Sequence, residues 1–157
     1  MPVALAQVTT RRPPFKFSAF TRVGFSDTDA QGIVYYGRYL PYFDQARVEY
    51  VRHLGLLERE AGAEELVMRA STVVYEAPAR FDDLLEVFVR TKRIGRTSLT
   101  NEYCAVRVDD DVLMCTAEQT LVLVALPERR PTAISEEYRR TVAAFEGADL
   151  EQAVAAS

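Results

Sequence analysis

Apolar and polar positions recur with two different periods along this chain, and the change of period marks its elements. From Phe15 to Phe25, phenylalanine and valine alternate with polar residues, the spacing of a strand with one buried face. Between Arg38 and Leu54, the apolar residues Leu40, Phe43, Ala46, Tyr50, Val51 and Leu54 recur at helical spacing and predict one long helix. Pro41 is tolerated only in a first turn, so this helix starts within a few residues of it, and Gly55 supplies a left-handed stop. An acidic stretch, Glu58–Glu65, fits a short helical turn. Beyond it the period becomes two: Val67–Glu76, Leu85–Ile94, Thr97–Val108 and Val112–Leu126 read as strands, closed by Pro78, Gly95, the acidic turn Asp109–Asp111 and Pro127. Leu121–Leu126 is apolar on both faces, which places it centrally or under a partner. A closing helix over Ser135–Phe145 has Ser135 at its N-cap, with Glu136 and Glu137 in the first turn.

The predicted fold class is α+β, one long helix packed on a curved antiparallel sheet of about five strands. One helix cannot cover both faces of such a sheet. Its open face and edge strand predict self-association, a homodimer at the minimum and a tetramer through the residual apolar strand face. Residues 15–146 form this single domain, with 1–14 a flexible leader and 147–157 a flexible tail. The arginines of the leader follow its short apolar stretch, the reverse of a secretory signal.

Composition narrows the function classes. At 157 residues and 48% hydrophobic, the chain is long enough for one proper core. A net charge of −4 with scattered basic residues argues against a nucleic-acid partner. No apolar run approaches the roughly 20 residues that span a bilayer. Cys104 and Cys115 could face each other across a hairpin, but two buried free thiols in a cytoplasmic protein are the expectation. His53 is the one histidine, so a multi-His zinc site is excluded, and a Ser–His–Asp or Cys–His mechanism would have to run through it. It falls in the last turn of the long helix, where a half-exposed side chain stabilised by the helix dipole is expected.

The chemistry concentrates in Asp27–Tyr39. Two carboxylates and a glycine occupy a tight turn that opens directly into a helix led by aromatic residues. Unpaired N–H groups at a helix start stabilise a developing oxyanion, and a carboxylate beside them points to acyl transfer or hydrolysis. The competing reading is that the aspartates only cap the helix.

The turn Asp27-Thr-Asp29-Ala-Gln-Gly32-Ile-Val-Tyr35-Tyr36 is followed by Tyr39-Leu-Pro-Tyr-Phe-Asp-Gln-Ala-Arg47. Later come Val74-Tyr75-Glu-Ala-Pro78-Ala79-Arg-Phe-Asp82-Asp83-Leu-Leu-Glu-Val87 and Ile94-Gly95-Arg96-Thr97-Ser98. With these segments the chain resembles the hotdog-fold acyl-CoA thioesterases of the 4-hydroxybenzoyl-CoA thioesterase type, including the bacterial branch associated with the Tol-Pal envelope system. The likeness covers about Phe17 to Val142. It implies that Asp29 is the catalytic carboxylate, acting as nucleophile through a transient mixed anhydride or as general base on water. It also implies that the backbone N–H at the helix start, Tyr36 by position with Gly37 beside it, polarises the thioester carbonyl. Asp27 is then structural, and Gly32 serves either a positive φ or a close passage of backbone or substrate. The envelope-associated branch often carries His at the Tyr36 position and Asn at that of Arg38, so no imidazole is available there. Arg38 meets either an anionic substrate group or an acid, Asp27 or one of a neighbouring subunit.

The implied substrate is an acyl-CoA or acyl-carrier-protein thioester. Coenzyme A is then part of the substrate, and no metal or redox cofactor is expected. Lys92, Arg93 and Arg96 around Gly95, with Arg129 and Arg130, are candidates for its phosphates, and Thr97 and Ser98 for its pantetheine amides. Arg90, Lys92, Arg93 and Arg96 could instead dock an acidic carrier. Tyr35, Tyr36 and Tyr39, with aliphatic side chains of a dimer mate, would line the acyl pocket. Two other readings stand beside this one: a non-catalytic dimeric binding module, and a hotdog hydratase or dehydratase. The latter wants a His-containing dyad, against which the lone His53 argues.

Overall fold

Strand pairing in the computed structural model, which describes residues 5–57 and 64–152, begins inside the expected leader. Strand β1 (Ala6–Val8) pairs antiparallel with β2 (Phe17–Arg22), and β2 in turn with β4 (Leu84–Ile94). Strands β5 (Ser98–Arg107) and β6 (Val112–Ala125) continue the sheet to β3 (Glu64–Tyr75) at its edge, in the order β1-β2-β4-β5-β6-β3. Two short strands join from the side: β7 (Arg130–Pro131) on β6, and β8 (Glu151–Gln152) parallel to β4. Among the described residues the sheet therefore has eight strands where about five were expected. The additions are two or three residues long, too short to carry a readable period. Of the acidic stretch, residues 58–63 lie outside the described residues, and Glu64 and Glu65 open β3.

The part of the leader around Arg11 and Arg12 is held by a partner far along the chain. Glu86 on β4 is almost fully buried, accepts a hydrogen bond from Ser18 Oγ at 2.8 Å, and is met by the Arg11 guanidinium. A carboxylate in that position needs a cation, and Arg11 supplies it while Arg11 and Arg12 lie over the Phe88 ring. The tail is likewise ordered as far as residue 152, through a 3-10 turn at Gly147–Asp149 and then β8.

Helix α1 (Tyr39–His53) lies across the sheet with Tyr39, Tyr42, Phe43, Ala46, Tyr50 and Val51 buried. Phe43 is fully buried with its ring 5.0 Å from that of Tyr103 on β5, and Tyr50 packs edge-on against Phe17. A long helix cradled by an antiparallel sheet is the hotdog arrangement that the resemblance implies. Helix α2 (Glu136–Glu146) packs against β4, with Ser135 Oγ capping Tyr138 N–H as expected. Cys104 and Cys115 are both free and buried.

The last residue of α2, Glu146, is fully buried. Its carboxylate accepts from Tyr50 Oη at 2.5 Å and Thr91 N–H at 3.1 Å, with Lys16 Nζ 4.0 Å away. Burial outweighs these partners and holds the carboxyl above its ordinary value of 4.5. The fold thus favours the protonated form, and this contribution to stability fades as pH rises from 4.5 through the raised value. Thermal melts from pH 4 to 8 check this: wild type should lose stability relative to Glu146→Gln as pH rises, and a constant difference would contradict it.

Candidate active site

The site is built by one hairpin and the helix it feeds. After β2 the chain makes a 3-10 turn at Phe25–Asp27, and Thr28 then pairs with Val34 across a tight turn. Asp29 N–H donates to Ile33 O at 2.9 Å and Gly32 N–H to Asp29 O at 3.0 Å. Gly32 has φ +78° with nothing within 4 Å of the position of a Cβ. Of its two expected roles, the left-handed backbone is therefore the one this structure requires. Asp29 is half-buried. Its Oδ1 accepts from Gln31 N–H at 2.8 Å, and no hydrogen bond among the described residues occupies Oδ2.

The returning arm enters a second 3-10 turn, Tyr36–Arg38, which runs on into α1. The first bond of that turn is Arg38 N–H to Tyr35 O at 2.8 Å, so the Tyr36 and Gly37 N–H groups precede it and have no acceptor within the turn. Tyr75 Oη donates to Tyr36 O at 3.0 Å. The Tyr35 and Tyr36 rings are 4.3 Å apart, and Tyr75 packs edge-on against both Tyr36 and Tyr39, forming an aromatic shelf beside the helix start.

Asp27 holds the turn, as expected. Its Oδ2 accepts from Gly24 N–H and from Tyr42 Oη, both at 2.8 Å, and Arg38 Nε stands 3.8 Å from Oδ1. Arg38 thus stands within ion-pair distance of Asp27, one of the acids expected for it, with its side chain still half-exposed. The two thiols are held neutral: burial pushes Cys104 up to about 11 and Cys115 up to about 12. His53 ends α1, its ring packed between Phe17 and Phe145, at the far end of the helix from Tyr36.

Arg96, Thr97 and Ser98 do not join this group within one chain. The turn they form follows β4, whereas Asp29 lies beyond the opposite end, where Val23 N–H meets Asp83 O. Strand β4 has 11 residues, which at about 3.3 Å each separates its ends by more than about 30 Å. Arg129 and Arg130 do come to the Arg96 end, since Leu123 N–H bonds Thr97 O and Ile134 N–H bonds Arg96 O. Of the residues expected to dock a carrier, Arg90 is nearly buried and bonded to Glu102, while Lys92 pairs at the surface with Glu118 at 3.5 Å.

The sequence signature of the Thioesterase-like superfamily matches residues 23–142, more than half of the chain and all of this site. The protein belongs to that superfamily. Among curated relatives, it is 36% identical over 115 residues to the acyl-CoA thioester hydrolase YbgC of Escherichia coli O6:H1, covering 72% of this chain and 85% of that one. It is 30% identical over 126 residues to the acyl-CoA thioesterase YbgC of Haemophilus influenzae, covering 78% and 91%. Among solved structures, a thioesterase-superfamily protein from Jannaschia matches with a TM-score of 0.79 at 21% identity, over 87% of this chain and 86% of that one, a likeness of fold.

Two residues of this thioesterase-family site, Tyr42 and Tyr75, were given no role from the sequence, and neither was Arg139 at the separate Arg96 turn. Arg139 donates to Gly95 O and Arg96 O and so fastens the basic turn to α2. For Tyr42 a signal existed. It falls on the apolar phase of the helix, and a buried phenol needs a partner for its hydroxyl.

Proposed function

We propose that this protein hydrolyses acyl-CoA thioesters, the reaction for which its curated relatives are named, with Asp29 as the reacting carboxylate. The observation that carries the reading is a half-buried carboxylate with Oδ2 open, on the hairpin whose returning arm leads straight into a helix start where the Tyr36 and Gly37 N–H groups have no acceptor within their turn. Those N–H groups would stabilise the oxyanion formed from the thioester carbonyl. Either Asp29 adds to the carbonyl carbon, expels the thiolate and is regenerated when water cleaves the anhydride, or it takes a proton from the attacking water. Both routes release acid and thiol, and neither calls for a metal or redox cofactor.

The separation of Arg96–Ser98 from Asp29 supports a homodimer with shared sites. Strand β3 ends the sheet, and on its helix-bearing side Val73 and Tyr75 stand partly or largely open. Antiparallel pairing of this edge with its copy, about a two-fold axis near mid-strand, would carry the partner's Arg96 turn to the Tyr75 end of this chain, beside Asp29. Tyr35, Gly37 and Arg38 would then border the acyl end from one chain, and Arg96, Thr97 and Ser98 would face coenzyme A from the other. A tetramer would add contacts without completing a site. No helix among the described residues is long and apolar enough to cross a membrane, and the free buried thiols favour a cytoplasmic location.

The test is thiol release from aromatic, short, medium and long acyl-CoAs and from acylated carrier protein. Release from carrier protein alone would move the substrate class, and release from none would sink the reading. Arg96→Ala should raise KM for the preferred acyl-CoA about 3- to 10-fold, as expected for a lost phosphate contact. It should leave KM unchanged for the N-acetylcysteamine ester of the same acid, which has no phosphate. Light scattering should return a dimer or a multiple of it; an active monomer would overturn the shared site.

A further inference from the structure

We propose that Tyr42 is a positioning residue for the Asp29 carboxylate and acts through Asp27. The inference rests on the reading of Asp29 as the reacting group. Tyr42 lies one turn into α1, is nearly fully buried, and donates its hydroxyl to Asp27 Oδ2 at 2.8 Å. The same oxygen takes Gly24 N–H, Oδ1 faces Arg38, and the Asp27 carbonyl takes Tyr35 N–H at 2.9 Å. One residue is thereby bonded to the loop before it, to the returning arm, to the residue preceding the helix and to the helix itself.

Asp29 stands two residues further on, and its own bonds stay within its turn: Gln31 N–H, Ile33 O and Gly32 N–H. None of these reaches α1. The hairpin meets the helix start through Tyr35 N–H on Asp27 O, and the 3-10 turn that carries the N–H groups is held against the hairpin from the other side by what ties Asp27 to the helix body. Among the described residues, the Tyr42–Asp27 bond is the side-chain link from within α1 to Asp27. A phenol donating to a carboxylate makes a short, charge-assisted bond. Burial and the Asp27 charge both hold the phenol above its ordinary range, so it remains a donor at neutral pH.

A purely structural tyrosine would affect melting and leave the chemical step alone, which is what the experiment separates. Tyr42→Phe keeps the ring, and we expect kcat to fall about 10-fold, since misplacement of a reacting group by about 1 Å costs up to about 100-fold. KM should stay within about 2-fold, because the substrate contacts are unchanged. In a double-mutant cycle, Asp27→Ala should cause a comparable fall, and adding Tyr42→Phe should change kcat by less than about 2-fold more. If Asp27→Ala does not fold, Asp27→Asn takes its place, and Tyr42→Phe should then cost less than it does in wild type. An unaltered kcat in Tyr42→Phe, or losses that multiply across the cycle, would overturn the proposal. Asp29→Asn is assayed alongside: activity retained there defeats the carboxylate reading itself, while activity lost there with Tyr42→Phe unaffected defeats only the positioning role.

Discussion

Asp29→Ala should lower kcat for thioester hydrolysis by about 10²-fold or more and leave the fold intact. Whether Asp29 attacks the carbonyl carbon or deprotonates water, the substitution removes the reacting group. The N–H groups of Tyr36 and Gly37 remain and can still polarise a carbonyl, so residual hydrolysis above the uncatalysed rate is expected. The structural cost is small. Asp29 contributes one side-chain bond, from Gln31 N–H at 2.8 Å, worth about 1 kcal/mol. Thiol release and a thermal melt, run on wild type and Asp29→Ala together, check both halves. Equal turnover in the two would remove Asp29 from the mechanism, and a collapsed melt would return it to the role of a cap.

The largest effect on stability is expected at Phe43. It is fully buried on α1, and its ring stacks 5.0 Å from Tyr103 and 6.4 Å from Tyr39. Phe43→Ala empties the contact that seats the helix on β5, and substitutions of this kind cost about 3–5 kcal/mol. For a chain of this length each kcal/mol lowers Tm by about 2–4 °C, so a fall of about 10 °C is expected by calorimetry. A shift under about 3 °C would mean that the helix is held chiefly by other contacts. Because Phe43 adjoins Tyr42, turnover should also fall, more steeply than the loss of folded protein accounts for.

Much of the site was legible because its signals are local. The helical period from Leu40 to Leu54, the Gly55 stop and the Ser135 cap all act within a few residues of themselves, and the structure places α1 and α2 accordingly. The four long strands after α1 fall within a few residues of their predicted bounds, since alternation and turn residues are also near-neighbour properties. Asp27, Asp29, Gly32 and the helix start fall in one contiguous stretch, so their association needed no knowledge of packing. The same stretch carried the family likeness.

Local signals along the chain thus suffice for the α+β class, the long helix, the four long strands after it and the carboxylate turn at the helix start. The remainder is set by packing between distant segments, since each point depends on a partner far along the chain. Arg11 is ordered by Glu86, which is 75 residues away. Arg90 turns inward to Glu102, Tyr42 finds Asp27, and the tail lies along β4. The separation of Arg96–Ser98 from Asp29 is of the same kind. Both segments belong to the same motif set in sequence, but the 11-residue strand β4 stands between their ends, and which of its ends meets the Asp29 turn is set by the long-range pairing of β2 with β4.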